Sequence, residues 1–205
     1  MNKLIVKKAA VLGAGVMGAQ IAAHLANAGV PVVLFDLAAK EGPKNGIVNK
    51  ALDGLKKLDP APLASRDKLQ LIDAANYDEH LPLLAGCDLV IEAIAERMDW
   101  KNDLYAKIAP HLSATAIIAS NTSGLSMAAL AQGLPENVQP RFCGIHFFNP
   151  PRYMHLVEVI ATPGTDAATL DALETWLTSR LGKGVIRALD TPNFVANRIG
   201  VFSIL

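Results

Sequence analysis

The stretch VLGAGVMG at residues 11–18 constrains the fold of this chain more than any other segment. An apolar run ends there in glycines spaced as GxGxxG, and a helix-like apolar segment follows. At a turn from strand to helix, Gly13 permits the tight turn, Gly15 lets a bound group approach the backbone, and Gly18 allows close helix-to-sheet packing. Because the free N–H groups at such a helix start favour an anion, the pattern predicts a βαβ unit with an anion site.

The next predicted strand ends in Asp36, and this carboxylate narrows the expected ligand. A carboxylate at that position accepts hydrogen bonds from the ribose hydroxyls of an adenosine and repels a 2′-phosphate. NAD is therefore favoured over NADP, and a glycine-rich turn without any ligand is the alternative. The residues expected to hold the cofactor here are Gly13, Gly15, Val16, Met17, Gly18 and Asp36.

Strand-like and helix-like segments alternate along the chain, which predicts a Rossmann-type, doubly wound α/β fold with a mostly parallel sheet. Two of the strand-like segments, DLVIEAI and AIIAS, are almost entirely apolar, as expected for strands covered on both faces. The predicted strands are 8–12, 31–36, 88–94, 116–120, 141–146, 154–160 and 184–188. The predicted helices are 16–28, 99–110, 125–132 and 166–181.

Two segments depart from this alternation. Residues 44–75 have the pattern of two amphipathic helices, which predicts a helical insertion after the second strand, either a lid or a projecting hairpin. The motif Asp190-Thr191-Pro192 resembles a helix start, and an apolar helical pattern follows it to residue 205. We therefore expect a nucleotide-binding domain at 1–189 and the start of an all-helical second domain at 190–205, in a chain that is a fragment of a longer protein.

Composition excludes several classes of partner. The 205 residues include 19 basic and 19 acidic side chains, so no net charge favours nucleic acid or anionic lipid. No apolar run reaches the roughly 18 residues of a membrane span, and glycines interrupt the N-terminal stretch that superficially resembles a signal peptide. Cys87 and Cys143 lack metal-ligand spacing and are interpreted as packing residues, so no metal site is predicted. A cytoplasmic location is expected.

Later motifs specify a chemistry. The segments ASNTSGLS at 119–126, HFFNP at 146–150 and DTPNFVANR at 190–198, together with Glu158, resemble the 3-hydroxyacyl-CoA dehydrogenase family. The resemblance covers essentially the whole chain and is strongest to the dehydrogenase part of multifunctional fatty-acid β-oxidation enzymes. It implies NAD-dependent oxidation of an L-3-hydroxyacyl-CoA to the 3-ketoacyl-CoA, and either a homodimer or a fused enoyl-CoA hydratase-like part. A sugar-acid or hydroxy-acid dehydrogenase and a non-catalytic NAD-binding module are the alternatives.

The resemblance also implies roles for individual residues. His146 would be the general base with Glu158 as its carboxylate partner, and Ser123 and Asn197 would hold the substrate oxygen. The residues implied along the nicotinamide side of the cofactor are Glu96, Lys101, Asn121 and Asn149. The lysines implied near coenzyme A are Lys50 and Lys57. Gly124 and Asn193 depart from the family pattern, the latter standing where a glycine is common, which a left-handed backbone would tolerate.

The residues themselves leave simpler interpretations open. A histidine at a strand end lies at the carboxyl edge of the sheet, where a base with an ordinary pKa of about 6.5 suits proton removal from an alcohol, but it can also be a satisfied core residue. Ser123 can equally be the N-cap of the following short helix. The lysines of the insertion can line a solvated helix face. We expect the 205-residue chain to bind NAD and to turn over poorly by itself.

Overall fold

The apolar runs form one eight-stranded sheet in a computed structural model that describes residues 4–203. Central strands such as Leu89–Glu92 and Ile117–Ser120 are buried along their whole length, since helices cover both faces of the sheet. The strands are β1 Ala9–Leu12, β2 Val32–Asp36, β3 Ile72–Asn76, β4 Leu89–Glu92, β5 Ile117–Ser120, β6 Phe142–Phe147, β7 Leu156–Ala161 and β8 Gly184–Ala188.

Six α-helices connect or follow these strands within the described residues. They are α1 Val16–Asn27, α2 Gly46–Leu55, α3 Met98–Ile108, α4 Met127–Ala131, α5 Ala167–Leu181 and α6 Ala196–Phe202. Short 3₁₀ turns occupy Arg66–Leu71, Leu81–Gly86, Ala109–His111 and Gln139–Arg141. No helix among residues 4–203 is long and apolar enough to cross a membrane.

The strand order is β3-β2-β1-β4-β5-β6-β7-β8, and every neighbouring pair is parallel except β6 with β7. The carboxyl ends of β1 to β6 therefore meet at one edge of the sheet. The direction of winding reverses between β1 and β4, and in open α/β sheets the crevice at such a reversal is where ligands bind. The doubly wound, mostly parallel fold expected from the sequence is confirmed.

Two apolar clusters fill the space between the sheet and its helices. One face of the sheet packs against α1 and α5, with Leu34, Ile91 and Trp176 among its buried members. The other face packs against α3 and α4, and its buried members include Phe35 and Tyr105. The sheet is thus rigidly supported on both sides, which fixes the positions of side chains at its edge.

The prediction of two helices in residues 44–75 is wrong in its second half. Only α2 is an α-helix, and it packs on α1 and the neighbouring strands instead of projecting as a lid or hairpin. The segment predicted as the second helix forms a 3₁₀ turn followed by β3, which pairs in parallel with β2. Pairing with an existing sheet edge outweighs the weak local helix preference of the short sequence IDAAN.

The prediction of a helix start at Asp190 is also wrong. Residues 190–195 form turns, and α6 begins only at Ala196. Asn193 has φ of 64° and Phe194 has φ of 47°, so the backbone is left-handed at the position where the family often has glycine. Residues 204–205 of the predicted helix lie outside the described part of the chain, and the domain boundary at 189/190 stays a prediction.

Candidate active site

The glycine turn leaves the start of α1 open. Gly13 has φ of 104° and its N–H donates to the Phe35 carbonyl over 2.8 Å, which closes the turn after β1. Gly15 caps α1 without a side-chain hydrogen bond, and the first turn of α1 contains no acidic residue. A Cβ added to Gly15 would meet no atom within 4 Å. Free N–H groups beside an unobstructed backbone fit a pyrophosphate, in a turn completed by exposed Val16 and half-buried Met17.

Asp36 lies at the end of β2, next to this turn. Its Oδ2 accepts from the Ala14 N–H over 2.6 Å and its Oδ1 from the Leu37 N–H over 2.7 Å. The carboxylate borders a cleft of about 540 Å³ that extends from Gly13 and Gly15 towards α3. Since pockets of this size bind small molecules and cofactors, the geometry fits an adenosine held by its ribose.

His146 and Glu158 form a buried pair at the same edge of the sheet. They are directly opposite each other on antiparallel β6 and β7, so their side chains lie on one face. His146 Nδ1 is 2.6 Å from Glu158 Oε2, and the two residues are 3% and 0% exposed. The aromatic rings of Phe148 and Phe194 lie 4.4 and 5.8 Å from the imidazole, between ring centroids. A carboxylate on Nδ1 orients the ring and leaves Nε2 for a substrate.

The second oxygen of Glu158 binds the start of α6. Oε1 accepts from the N–H groups of Val195 and Ala196 over 3.0 and 2.8 Å, and a carboxylate at this helix end is also stabilised by the helix dipole. Asn197 follows in the first turn of α6 and is half-buried. Glu158 thus links the histidine to the element that carries Asn197, an arrangement not predicted from the sequence.

A loop after β5 carries Ser123, and Glu96 holds this loop. Glu96 accepts from the Thr122 hydroxyl over 2.6 Å and from the Ser123 N–H over 2.7 Å. The interpretation of Ser123 as a helix cap is wrong, because Ser126 caps α4 through the Ala129 N–H. The Ser123 side chain is therefore not needed for the helix and is half-buried at the carboxyl edge.

The two asparagines expected beside the nicotinamide make hydrogen bonds within the protein. The buried Asn121 side chain accepts from the Phe147 N–H over 2.9 Å, joining the ends of β5 and β6. Asn149 accepts from the Gln20 side chain over 3.2 Å, joining the HFFNP turn to α1. Both lie at the correct edge of the sheet, and their contacts with the cofactor stay predictions.

Lys101 has a different environment from the open groove that its implied role suggests. It is 1% exposed, and its ammonium pairs with the fully buried Glu92 over 2.5 Å. Glu92 also accepts from the Tyr105 and Ser120 hydroxyls and from the Ile94 N–H, over 3.0, 2.7 and 2.7 Å. Lys101 therefore belongs to a buried network beneath the cofactor edge, and a direct contact with NAD stays a prediction.

The lysines implied near coenzyme A lie on the exposed surface of α2 and just after it. Lys50 and Lys57 are exposed, whereas the neighbouring Lys56 pairs with Asp53 over 2.7 Å. This arrangement is compatible both with phosphate binding and with a solvated helix face. The CoA role stays a prediction.

Sequence reasoning missed two residues near the site. Trp100 borders the cleft beside Asp36. The amphipathic pattern of the helix Met98–Ile108 could have indicated which of its faces carries Trp100. Asp190 accepts from the N–H groups of Met127 and Ala128, both over 2.8 Å, and caps α4 from far along the chain. A cap supplied by a residue this far away in the sequence cannot be recognised from a local sequence pattern.

Comparisons with known proteins agree with this geometry. Residues 8–191 match the family described as 3-hydroxyacyl-CoA dehydrogenase, NAD binding domain. The chain is 47% identical over 201 residues to a Deinococcus radiodurans protein named as a 3-hydroxyacyl-CoA dehydrogenase, covering 98% of this chain and 58% of that protein. It is 46% identical over 198 residues to a Rickettsia felis protein named as a fatty acid oxidation complex trifunctional enzyme, covering 96% and 28%.

A solved structure shows the same architecture. The (S)-3-hydroxybutyryl-CoA dehydrogenase of Ralstonia eutropha superposes with a TM-score of 0.81 at 34% identity, covering 98% of this chain and 69% of that one. The chain thus spans only part of the length of its relatives, and the matched region contains the glycine turn, Asp36 and the pair of His146 and Glu158. The chain belongs to the 3-hydroxyacyl-CoA dehydrogenase family, of which it contains the NAD-binding domain.

Proposed function

We propose that the protein containing this chain oxidises an L-3-hydroxyacyl-CoA to the 3-ketoacyl-CoA with NAD, as a step of fatty-acid β-oxidation. The observation that carries the proposal is the buried contact of 2.6 Å between His146 Nδ1 and Glu158 Oε2 at the carboxyl edge of the sheet. The names of the relatives support the substrate class, and the trifunctional relative supports a fused hydratase-like partner in the full protein.

Bound NAD supplies the acceptor for the hydride that leaves the substrate's hydroxyl-bearing carbon. A residue of this chain must accept the proton of the same hydroxyl group. With Glu158 accepting from Nδ1–H, the imidazole presents an unprotonated Nε2 that can accept this proton. Glu158 then stabilises the imidazolium electrostatically and keeps its ring fixed.

The surroundings of His146 suit this task. Phe148 and Phe194 flank the imidazole and limit the access of water, which strengthens its interaction with the Glu158 carboxylate. The Ser123 hydroxyl and the Asn197 amide are the donors proposed for the substrate oxygen as it becomes a carbonyl oxygen. Glu96 fixes the Ser123 backbone, and Glu158 fixes the helix that carries Asn197.

The substrate class can be tested by following NADH formation at 340 nm with the purified full-length protein that contains this chain. An L-3-hydroxyacyl-CoA should be oxidised with a kcat/KM at least about 100-fold higher than the corresponding free 3-hydroxy acid, because remote binding energy of the CoA part aids the reaction. The D-enantiomer should be inert. Equal rates with the free acid would favour a hydroxy-acid dehydrogenase, and NAD binding without turnover of any of these compounds would favour a binding module.

A further inference from the structure

The far end of the cofactor cleft contains a tryptophan that the fold itself does not need. Trp100 lines the cleft and is 51% exposed, whereas the apolar side chains that anchor α3, such as Leu104 and Ile108, are buried. The Arg97 guanidinium lies 4.9 Å from the centre of the Trp100 ring, close enough for a cation–π contact that restrains the indole. Removing the indole therefore costs little core packing.

The geometry of the cleft assigns an occupant to this end. The open start of α1 suits the pyrophosphate, and His146 marks the nicotinamide end. Asp36 then binds the adenosine ribose, and the cleft that it borders is also lined by Leu37, which is 65% exposed, and by Trp100 on α3. The portion of NAD that extends beyond the adenosine ribose is the adenine.

Apolar groups dominate this end of the cleft. Leu37, Ile94, Ala95 and Trp100 line the cleft, together with the charged side chains of Asp103 and Lys107 on α3. An adenine is a flat aromatic ring that gains free energy by stacking on an aromatic side chain, and tryptophan offers the largest such surface. Exposed apolar side chains around a cleft are also typical of binding sites.

We propose that Trp100 is an affinity-determining residue of the cofactor site, whose indole forms one wall of the adenine pocket. The proposal rests on NAD binding by this domain and adds a contact for its adenine end. Trp100 acts on binding of the adenosine half of NAD and has no part in the proton transfer at His146.

Intrinsic fluorescence can isolate this contact, because the chain contains two tryptophans. Trp176 lies on α5, is 4% exposed in the core and serves as an internal reference. In the Trp176→Phe variant, where only Trp100 emits, saturation with ADP-ribose should change the intensity by at least about 20%, since a stacked base quenches an indole. In the Trp100→Phe variant ADP-ribose should leave the emission nearly unchanged, and nicotinamide mononucleotide should have little effect on either protein.

Calorimetry gives a second readout. Trp100→Ala should weaken ADP-ribose binding at least about fivefold, the lower range for loss of one base–aromatic stack, while Trp100→Phe stays within about threefold of the unsubstituted protein. Ile5→Ala, which trims an apolar side chain that is 61% exposed and does not line the cleft, serves as the matched control and should bind normally. Circular dichroism verifies that each variant is folded.

The two possible failures are distinguishable. If the unsubstituted protein binds NAD and ADP-ribose but Trp100→Ala binds ADP-ribose with unchanged affinity, or Trp100 emission does not respond, the proposed adenine wall is overturned. If the unsubstituted protein binds neither compound, the cofactor site itself is refuted, and the role of Trp100 with it.

Discussion

At the residue scale, the two oxygens of Glu158 have different partners. Oε2 contacts His146, while Oε1 accepts from the N–H groups of Val195 and Ala196. An amide at this position would keep its oxygen on the backbone donors and turn its NH₂ group towards Nδ1. The imidazole would then carry its proton on Nε2, so this nitrogen could not accept the proton of the substrate hydroxyl. The carboxylate therefore fixes the tautomer as well as the position of the ring.

This arrangement predicts that Glu158→Gln and His146→Gln both lower kcat at least about 100-fold, because general-base catalysis contributes roughly 10² to 10⁴. KM for NAD should change less than about threefold, since neither side chain lines the glycine turn. Stopped-flow measurement of NADH formation by the full-length protein and its variants checks kcat, and calorimetry checks NAD binding. A loss of less than about fivefold in His146→Gln would remove this residue from the role of base.

At the element scale, two glycines at the start of α1 have different tasks. A Cβ on Gly18 would lie 1.8 Å from the Gly13 carbonyl oxygen, so this glycine is required for the helix to approach β1. A Cβ on Gly15 would meet no protein atom within 4 Å and would instead extend into the space expected for the pyrophosphate. Substitutions at Gly15, which serves binding, and at Gly18, which serves folding, should therefore have different effects.

Gly15→Ala should leave the free energy of unfolding within about 1 kcal/mol of the unsubstituted protein but weaken NAD binding at least about tenfold. Gly18→Ala should lower stability by more than about 3 kcal/mol or prevent folding, since a contact this short forces the helix away from the sheet. Urea unfolding and calorimetry measure the two effects. Normal NAD affinity in Gly15→Ala would contradict the proposed position of the pyrophosphate.

The cap that Asp190 provides for α4 predicts a second contrast. Asp190 accepts from two backbone N–H groups and from the Ser126 hydroxyl, the last over 3.0 Å. Asp190→Ala should destabilise the protein by about 1–2 kcal/mol, the usual loss for a helix cap. Asp166 precedes α5 without a side-chain cap bond, so Asp166→Ala should cost less than about 0.5 kcal/mol in the same urea titration. Equal losses would show that Asp190 does not act as a cap.

The elements also show how far the sequence alone could predict this structure. Apolar or periodic segments such as α1 and β4 were predictable, because the residues that they bury follow one another or recur at a regular spacing in the sequence. The edge strand β3 was not, because its short sequence becomes a strand only by pairing with β2. The contact of His146 with Glu158 was suggested by family resemblance, whereas the cap by Asp190 and the burial of Lys101 depend on tertiary placement that no local pattern encodes.

At the scale of the whole molecule, the helix α1, which packs on one face of the sheet, carries a buried histidine outside the site. His24 on α1 is 9% exposed and contacts the Phe147 ring edge-on at 6.5 Å between centroids. Neither ring nitrogen of His24 makes a hydrogen bond of normal geometry among the described residues. Burial has a larger effect on the pKa of His24 than the nearby Leu181 backbone, which favours the protonated ring and raises the pKa. Burial, followed by the positive charge of Lys183, lowers the pKa of His24 from 6.5 to about 4. The folded protein therefore prefers neutral His24.

This preference makes stability depend on pH in one direction. Between about pH 6.5 and pH 4 the unfolded chain binds a proton at residue 24 and the folded chain does not, so stability falls as the pH is lowered through this window. From pH 7 to pH 5 the contribution is on the order of 2 kcal/mol. In His24→Leu the acid-induced loss should be smaller by about that amount, as measured by urea unfolding of both proteins at several pH values. Carboxylates titrate in both proteins and cancel in the difference, so parallel stability curves would show that His24 keeps its ordinary pKa in the folded state.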